Sequence, residues 1–238
     1  MKPKPAHPAG AAKPSPKKGP SGPPPKRIFL VDDHPMMRDG MSRLIDSEPG
    51  LICCGGAKSA EEAINEIVRR QPDLVVTDIT LPNRSGLDLI KDIKAMAPET
   101  LVVVYSMHDE AFYAERALRA GAGGYVMKQE APQVLLTAIR TVLAGQVYVS
   151  GKMGATLLQR MVSGKKREGG LPMDRLTDRE LEVFRMIGSG KSVKDIADDL
   201  FLSVKTVEAH REHIKEKLNI KSSAELLRFA IRNSPDAR

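Results

Sequence analysis

Residues 72–86 have the sequence PDLVVTDITLPNRSG. Within this stretch, residues 74–76 form a short apolar run between turn-forming residues, which predicts a buried parallel strand. The run ends close to a carboxylate, Asp78, and Pro82 and Gly86 then predict a loop before the next helix. Because ligands of open α/β sheets bind beyond the carboxyl ends of the strands, Asp78 is a candidate reactive residue.

The same alternation of an apolar run and an amphipathic helical segment occurs five times in about 120 residues, which predicts an α/β domain with a parallel sheet and helices on both faces. Strands are predicted at 28–31, 51–54, 74–78, 101–105 and 123–127. Ser59 and Glu62 predict a capping box at the start of the second helix. Polar side chains follow four of the strands: Asp32, Asp33, Asp78, Ser106 and Lys128.

Charge is unevenly distributed along the 238 residues, a length that favours two domains. Residues 1–27 contain seven Lys and Arg and no acidic residue, residues 28–150 have a net charge of −5, and residues 151–238 have a net charge of +5. An acidic middle and a basic end suggest a charged-site domain joined to a nucleic-acid reader, although a solvated surface gives the same pattern.

The first 26 residues have a low-complexity composition that includes nine of the 17 prolines. Such a segment cannot bury a core, so a disordered basic tail is expected. It suits either loose contact with DNA phosphates or a passive solubilising role.

Two features bear on the cellular compartment. The two cysteines, Cys53 and Cys54, are neighbours on a predicted strand, where side chains point to opposite faces. We therefore expect small, buried, reduced residues and no ordinary disulfide between them.

No run approaches the ~18 apolar residues of a membrane helix, and the N-terminus lacks the apolar core of a secretory signal. A cytoplasmic protein without a membrane partner is expected.

The C-terminal part has a wholly helical pattern. Helices are predicted near 178–187, 193–199, 204–217 and 223–232, with start signals at Thr177/Glu180, Ser192/Asp195, Ser203 and Ser222/Glu225. The spacing within residues 193–210 is that of a helix-turn-helix, whose second helix enters the major groove of DNA. The predicted organisation is therefore a tail over 1–26, an α/β domain over 27–145, a linker over 146–172 and a helical domain over 173–238, with a short helix predicted at 156–162 in the linker.

The residue types at the strand ends suit phosphoryl chemistry. Adjacent carboxylates facing a third one are oxygen ligands for Mg²⁺. A carboxylate can also act as a nucleophile toward phosphorus, and the transferred group then requires neutralisation of its negative charge. The Lys128 ammonium and the Ser106 hydroxyl are available for that purpose.

These motifs resemble the receiver domain of two-component response regulators. The resemblance is carried by residues 31–34 (VDDH), 77–79 (TDI) with Pro82, 105–106 (YS) and 125–128 (YVMK). It implies the five-stranded flavodoxin-like sheet, phosphorylation of Asp78 by a sensor histidine kinase, and Mg²⁺ held by Asp32, Asp33, Asp78 and the Thr80 backbone carbonyl. It further implies that Ser106 and Lys128 grip the phosphoryl oxygens, and that Ser106 and Tyr125 move to couple the site to the surface. His34 is interpreted as a loop residue and not as a ligand.

The positions after Asp78 and Ser106 bear on the lifetime of the phosphoryl group. By the same resemblance, Thr80 and His108 flank the path of the attacking water. Thr80 is small and should leave that path open. His108 either obstructs or orients water, or alternatively only precedes the helix at Asp109 and points to solvent.

The C-terminal helices resemble the LuxR-type helix-turn-helix, and the whole chain is similar to the NarL/FixJ class of response regulators. The likeness rests on residues 176–180 (LTDRE), 196–197 (IA), 202–207 (LSVKTV) and 217–218 (KL). The expected DNA-contacting residues are Ser203, Lys205, Thr206, Glu208, Ala209, Arg211 and Glu212. The glutamates are suited to accept a hydrogen bond from cytosine N4, and Ala209 is suited to contact a thymine methyl group. Alternatively, the glutamates form ion pairs with basic residues of their own helix.

The expected function is that of a phosphorylation-controlled transcription regulator and not of an enzyme. Its expected partners are promoter DNA, a second copy when phosphorylated through the last helix, and RNA polymerase as a further candidate. One competing hypothesis is a haloacid-dehalogenase-like phosphatase, which places a second Asp two residues after its nucleophile; here that position holds Thr80. Another is a DNA-binding protein that works without phosphorylation.

Overall fold

The computed structural model describes residues 23–162 and 172–233. Five strands and five helices alternate in the first part: β1 (Lys26–Val31), α1 (Pro35–Asp46), β2 (Leu51–Ala57), α2 (Ala60–Arg70), β3 (Leu74–Thr77), α3 (Gly86–Met96), β4 (Leu101–Ser106), α4 (Glu110–Ala120), β5 (Gly124–Met127) and α5 (Pro132–Leu143). The remaining helices are α6 (Gly151–Val162), α7 (Asp178–Gly188), α8 (Val193–Asp199), α9 (Val204–Leu218) and α10 (Ser223–Asn233), with a 3₁₀ turn at Pro172–Arg175.

The five strands form one parallel sheet in the order β2-β1-β3-β4-β5. One apolar cluster lies on the side of the sheet that packs against α1 and α5, and a second lies on the side of α2, α3 and α4. The predicted doubly wound α/β fold is therefore confirmed. Apolar residues on both faces explain why the strands read as continuous apolar runs and not as alternating ones.

The register of the sheet brings the carboxyl ends of four strands to one edge. Val31 of β1 pairs with Thr77 of β3, Thr77 pairs with Val104 of β4, and Ser106 of β4 pairs with Met127 of β5. Because each polar residue follows or ends its strand, this register alone gathers them at the same edge.

The start of α2 differs from the sequence prediction. The Ser59 hydroxyl accepts a hydrogen bond from the Glu62 amide, as an N-cap should. The Glu62 carboxylate, however, accepts from the Lys58 amide and not from Ser59, so the reciprocal half of the predicted capping box is absent at this helix. The N-cap bond of Ser59 is retained, and the Glu62 carboxylate satisfies the Lys58 amide just before the cap.

The helical C-terminal part follows the predicted pattern closely. The pairs Thr177 with Glu180 and Ser192 with Asp195 are reciprocal capping boxes. At the predicted pair Ser222 with Glu225, the Glu225 amide donates to the Ser222 hydroxyl, but the Glu225 carboxylate accepts from the Lys221 amide and not from Ser222. The Ser203 hydroxyl caps α9 by accepting from the Thr206 amide. The apolar faces of α8 and α9 meet through buried side chains: Ile196, Ala197, Leu200, Val207 and Ile214. The α8–turn–α9 unit is therefore the expected helix-turn-helix.

Several features were not predicted at their true extent. Strand β2 continues to Ala57, and α6 begins at Gly151 instead of at residue 156. Tyr148 adds a single parallel bridge beside Gly124 at the edge of the sheet. Of the disordered tail expected over 1–26, residues 1–22 lie outside the described residues, whereas Lys26 already belongs to β1, so the tail was predicted one residue too long. The linker residues 163–171 also lie outside the described residues.

The cysteines are free, as expected, but each is half-buried and not fully buried. Cys53 packs with the α1/α5 cluster and Cys54 with the α2–α4 cluster, so the two side chains do leave the strand on opposite faces. Within residues 23–162 and 172–233, no helix combines the length and apolarity needed to cross a bilayer.

Candidate functional site

The Asp78 carboxylate lies at the centre of a polar cluster at the carboxyl edge of the sheet. Its Oδ1 accepts hydrogen bonds from the Ser106 hydroxyl at 2.6 Å and from the Ile79 amide at 2.6 Å. Its Oδ2 accepts from the Lys128 ammonium at 2.6 Å. The side chain is buried, with 7% of its surface exposed. Asp78, Ser106 and Lys128 are thus brought together as the sequence predicted.

Lys128 joins two carboxylates. Its Nζ also donates to Asp32 Oδ2 at 2.6 Å, and both Lys128 and Asp32 are buried. Burial alone lowers the pKa of Lys128, but the Asp78 and Asp32 carboxylates outweigh it and leave the pKa raised. The lysine therefore stays cationic, which provides a positive charge beside the Asp78 oxygens. Burial raises the pKa of Asp78, and Lys128 and Ser106 offset part of that effect.

The backbone around Asp78 is held by close packing with the start of α3. The Gly86 amide donates to the Ile79 carbonyl at 2.6 Å. A Cβ at Gly86 would lie 1.9 Å from the Asp78 carbonyl oxygen, which no side chain tolerates. Glycine is required here because the α3 backbone closely approaches the chain at Asp78 and Ile79. The glycine that appeared only as a turn signal in the sequence therefore has a direct role in positioning Asp78.

Asp33 lies beside Asp32 at the rim of the cluster and offers a further oxygen ligand. Its Oδ1 is buried and accepts no well-formed hydrogen bond from any described residue, although His34 Nδ1 lies 2.7 Å away. Carboxylate oxygens without a donor suit a hard cation such as Mg²⁺. Asp32, Asp33 and His34 form a group of potential ligand atoms within 4.8 Å of one another. The His34 side chain is 73% exposed in its loop, so its contact with the carboxylates is at the surface.

A second layer of contacts extends from the cluster toward α4. The hydroxyl of Thr80 and Nε2 of His108 share a hydrogen bond of 2.8 Å. The hydroxyl of buried Tyr125 donates to the His108 carbonyl at 2.8 Å. Burial, followed by the charges of Arg185 and Lys128, lowers the pKa of His108 to about 3, so the imidazole is neutral. The alternative in which His108 points to solvent is therefore wrong.

The expected DNA-contacting residues lie at the start and on the outer face of α9. Ser203, Lys205, Thr206, Glu208, Ala209 and Glu212 are exposed, whereas Arg211 is half-buried at the flank. The Ser203 and Thr206 hydroxyls are 2.8 Å apart. Glu212 pairs with Lys215 of the same helix at 2.8 Å, which is the intrahelical alternative that the sequence left open for the glutamates. The remaining exposed residues form a continuous face that suits a DNA groove.

Helix α9 is fixed to α7 by a buried glutamate. The Glu180 carboxylate accepts from the Lys217 ammonium at 2.6 and 2.9 Å and from the Thr177 amide at 2.7 Å. Burial raises the pKa of Glu180, but the Lys217 and Thr177 hydrogen bonds outweigh it and the pKa is lowered. The sequence identified this glutamate only as a cap, because its contact with Lys217 spans 37 residues.

Arg38 is a site residue that sequence reasoning missed. Its Nη1 donates to the Asp32 carbonyl at 2.5 Å and so supports the acidic loop from α1. Its position one turn into a helix that begins at Pro35 is the only sequence signal for this role. Arg116 of α4 was also missed, since its partners near the start of α7, the Met173 and Leu176 carbonyls and the Asp178 carboxylate, lie 57 to 62 residues away in the chain.

Comparisons with known proteins agree with both halves of this description. Residues 28–140 match the response regulator receiver domain, and residues 174–230 match the bacterial regulatory proteins of the luxR family. The oxygen regulatory protein NreC of Staphylococcus carnosus is 35% identical over 210 residues, covering 87% of this chain and 97% of that protein. NreC of Staphylococcus haemolyticus is 36% identical over the same shares.

Solved structures show the same architecture. RcsB from Salmonella enterica serovar Typhimurium, bound to promoter rprA in the presence of the phosphomimetic BeF3⁻, aligns over 87% of this chain and 98% of its own, with 25% identity and a TM-score of 0.58. A LuxR-family two-component response regulator from Aurantimonas sp. is 36% identical over 58% of this chain and 99% of its own, with a TM-score of 0.55. The chain therefore belongs to the family of two-component response regulators that join a receiver domain to a LuxR-type, DNA-binding helix-turn-helix domain.

Proposed function

We propose that a sensor histidine kinase phosphorylates this protein on Asp78, and that the phosphoryl group controls transcription through the helix-turn-helix. The observation that carries the proposal is the position of the Asp78 carboxylate between the Lys128 ammonium and the Ser106 hydroxyl, each 2.6 Å away. A buried carboxylate with a fixed cation and a fixed donor is preorganised for a group that brings additional negative charge. Once the phosphoryl group is attached, Lys128 and Ser106 contact its oxygens.

Mg²⁺ fits the acidic side of this cluster. Asp32, Asp33 and Asp78, together with the Thr80 backbone carbonyl, supply the oxygen ligands it prefers. When bound, the ion neutralises negative charge on the transferred phosphoryl group. Without the ion, Lys128 balances the charges of Asp32 and Asp78, which keeps these two neighbouring carboxylates compatible with a folded site.

DNA recognition is assigned to α9. Ser203, Lys205 and Thr206 lie at its N-terminus, where hydroxyls, a cation and the helix dipole favour phosphates. Glu208, Ala209 and Glu212 continue along the outer face, with Arg211 at its flank. The expected sites are promoter sequences with paired half-sites whose centres are about 10 base pairs apart, or a multiple of that distance, because a homodimer of phosphorylated chains presents two such helices.

Phosphorylation is tested with the full-length chain, Mg²⁺ and a small phosphodonor such as acetyl phosphate. Wild type is expected to acquire an acid-labile label, as an aspartyl-phosphate is, whereas Asp78→Asn should acquire none, because an amide of the same size is a far weaker nucleophile. Asp88→Asn, which changes an exposed carboxylate of α3, is the matched control and should label normally. Undiminished labelling of Asp78→Asn would refute the assignment.

The same preparation discriminates the proposal from a phosphatase. A regulator retains one phosphoryl group per chain, whereas a haloacid-dehalogenase-like enzyme turns over small phosphomonoesters. Continuous release of phosphate from such esters, lost in Asp78→Asn, would favour the enzyme. DNA affinity that is unchanged by labelling would favour a regulator that works without phosphorylation.

A further inference from the structure

The turn between α8 and α9 contains a phenylalanine in a backbone conformation that aromatic residues rarely adopt. Phe201 has a φ of 54°, in the left-handed region. Among the residues that the structure describes, the other non-glycine residues with positive φ are Gln71, Asn83 and Asn219, so Phe201 is the one apolar member of this group. A bulky side chain makes this conformation unfavourable, whereas glycine and asparagine accept it. The turn is therefore built at a cost in free energy.

The left-handed backbone turns the Phe201 ring outward between two leucines that face the interior. Leu200 is 1% exposed, and Leu202 packs against the apolar cluster of the domain. The Phe201 amide donates to the Asp198 carbonyl at 3.2 Å, and the Leu202 amide donates to the Ala197 carbonyl at 2.8 Å, so the turn is tied to α8. The Phe201 side chain is 54% exposed. A large aromatic surface is thus held in water at the start of α9.

The first residue of α9 adds to this apolar surface. Val204 directly follows the N-cap Ser203 and is 46% exposed. Leu202 and Val207 occupy the two positions of a hydrophobic staple at this helix start, and both belong to the apolar cluster. The staple accounts for the apolar residues that face inward and leaves Phe201 and Val204 outside it. We call Phe201 and Val204 the turn patch.

The turn patch is continuous with the outer face of α9. Val204 lies one helical turn before the exposed Glu208, and residues four apart are neighbours on a helix surface. Ser203, Lys205 and Thr206, which are assigned to DNA phosphates, lie within the same four positions of the chain. A single exposed apolar residue needs no explanation. Here, however, backbone strain and exposure coincide at one residue beside the helix that recognises DNA.

The chemistry of the turn patch selects one kind of group on DNA. Neither side chain carries a hydrogen-bond donor or a charge, so the turn patch is unsuited to bind phosphate. The major groove presents an apolar group at the C5 methyl of thymine, which aromatic and aliphatic side chains contact. In helix-turn-helix proteins the N-terminal residues of the second helix meet the base edges. The turn that precedes α9 therefore lies beside the bases that this end of the helix reads.

We propose that Phe201, together with Val204, contacts thymine methyl groups in the major groove and determines part of the sequence preference of this protein. The proposal rests on the assignment of DNA recognition to α9 under the proposed function. It adds a specificity-determining residue that lies outside that helix. Removal of the ring from water in the complex offsets the strain that the turn bears in the free protein.

The proposal is tested with a duplex that the full-length chain, incubated with acetyl phosphate and Mg²⁺, selects from a random pool. Thymines of this duplex are replaced one at a time by deoxyuridine, which lacks the methyl group but pairs in the same way. At the contacted thymine the replacement should lower the affinity of wild type about fourfold, as expected for one buried methyl group. Phe201→Gly should bind the thymine and deoxyuridine duplexes equally.

Two further variants make this comparison specific. Phe201→Leu keeps an apolar side chain and should retain part of the discrimination between thymine and deoxyuridine. Met96→Ala is the matched control, because Met96 is 57% exposed on α3 of the receiver domain, away from α9. Its discrimination should equal that of wild type.

Stability provides a readout of opposite sign. Glycine and asparagine accept the left-handed backbone, so Phe201→Gly and Phe201→Asn should have higher urea midpoints than wild type. A higher midpoint together with lost thymine discrimination is the expected result. A ring that only supported the fold would instead give lower midpoints in both variants, and that result would overturn the proposal.

The outcomes also separate this inference from the assignment of α9. If Phe201→Gly discriminates as wild type does while Lys205→Ala weakens DNA binding, the role of the turn patch is wrong and the assignment of α9 stands. If neither substitution alters DNA affinity, the assignment of α9 fails as well. An equal loss of affinity for both duplexes in Phe201→Gly, with wild type still sensitive to the methyl group, would put the ring against the DNA backbone or a second copy and contradict thymine recognition.

Discussion

The Thr80 hydroxyl and the His108 imidazole close one side of the proposed phosphorylation site by a 2.8 Å hydrogen bond. The two residues are 28 positions apart, and each lies two positions after a member of the Asp78–Ser106 pair. Because burial keeps His108 neutral, the pair shares a hydrogen bond and not a charge interaction. We expect water that attacks an aspartyl-phosphate in line with the Asp78 oxygen to approach past these two residues.

Thr80→Arg should therefore slow dephosphorylation without preventing phosphorylation. The larger side chain fills the approach of water and displaces His108, while Asp78, Lys128 and Ser106 stay in place. The measurement is the decay of labelled protein after removal of the phosphodonor. Thr80→Ser keeps the hydroxyl and is expected to decay at the wild-type rate. Equal decay of wild type and Thr80→Arg would show that this position does not control the water.

Gly86→Ala should damage the site through the backbone. The new Cβ would meet the Asp78 carbonyl oxygen at 1.9 Å, so either α3 or the end of β3 has to move. We expect a loss of about 2–3 kcal/mol in the free energy of unfolding and slower labelling of Asp78.

Gly40→Ala is the control for this substitution. Gly40 lies within α1, and a Cβ there meets no atom within 4 Å. Because alanine favours a helix interior over glycine, Gly40→Ala should be neutral or more stable by up to about 1 kcal/mol in chemical denaturation. The prediction fails if both substitutions have the same effect.

Glu182 gives the protein a stability that depends on pH. Its side chain is fully buried, and burial raises its pKa to about 7, although the Arg179 guanidinium 2.6 Å away favours the charged form. The folded state therefore binds a proton more tightly than the unfolded state. The free energy of unfolding should fall as pH rises from about 4.5 to about 7, by up to about 3 kcal/mol, and then level off.

Glu182→Gln should remove this part of the pH dependence. The amide cannot ionise, so the part of the pH dependence that Glu182 causes between pH 5 and pH 8 should be missing from the urea midpoints of the variant. The pH dependence that other groups cause should remain as in wild type. Glu216→Gln, an exposed residue of α9, should keep the wild-type slope. If Glu182→Gln lowers stability equally at every pH, the Arg179 pair dominates and the prediction is wrong.

Lys205→Ala should weaken DNA binding without changing sequence preference. Lys205 is exposed at the start of α9, where a phosphate contact is expected. Affinity should fall on all duplexes by a similar factor, and the slope of log affinity against log salt should decrease by about 1. Lys58→Ala, in the receiver domain, is the control. A changed base preference in Lys205→Ala would mean that this residue reads bases.

The alternation of apolar runs and amphipathic segments was sufficient to predict the sheet, because parallel strands buried on both faces leave that pattern in any sequence. The residues that form the polar cluster around Asp78 could also be identified in advance. Each of them ends or follows a strand, and parallel strands place their carboxyl ends at one edge. The helix starts at Thr177, Ser192 and Ser203 were likewise readable, since an N-cap bonds an amide only two or three residues away.

Contacts between distant parts of the chain were decided by the tertiary structure alone. No local pattern shows that Gly86 must leave space for the Asp78 carbonyl. Nor does one show that Glu180 accepts hydrogen bonds from Lys217, or that His108 is hydrogen-bonded to Thr80. The same holds for the interface of Arg116 and Arg185 with the opposite domain. Periodicity and capping report interactions within a few residues, whereas these contacts depend on how completed helices pack, and packing is a property of the whole chain.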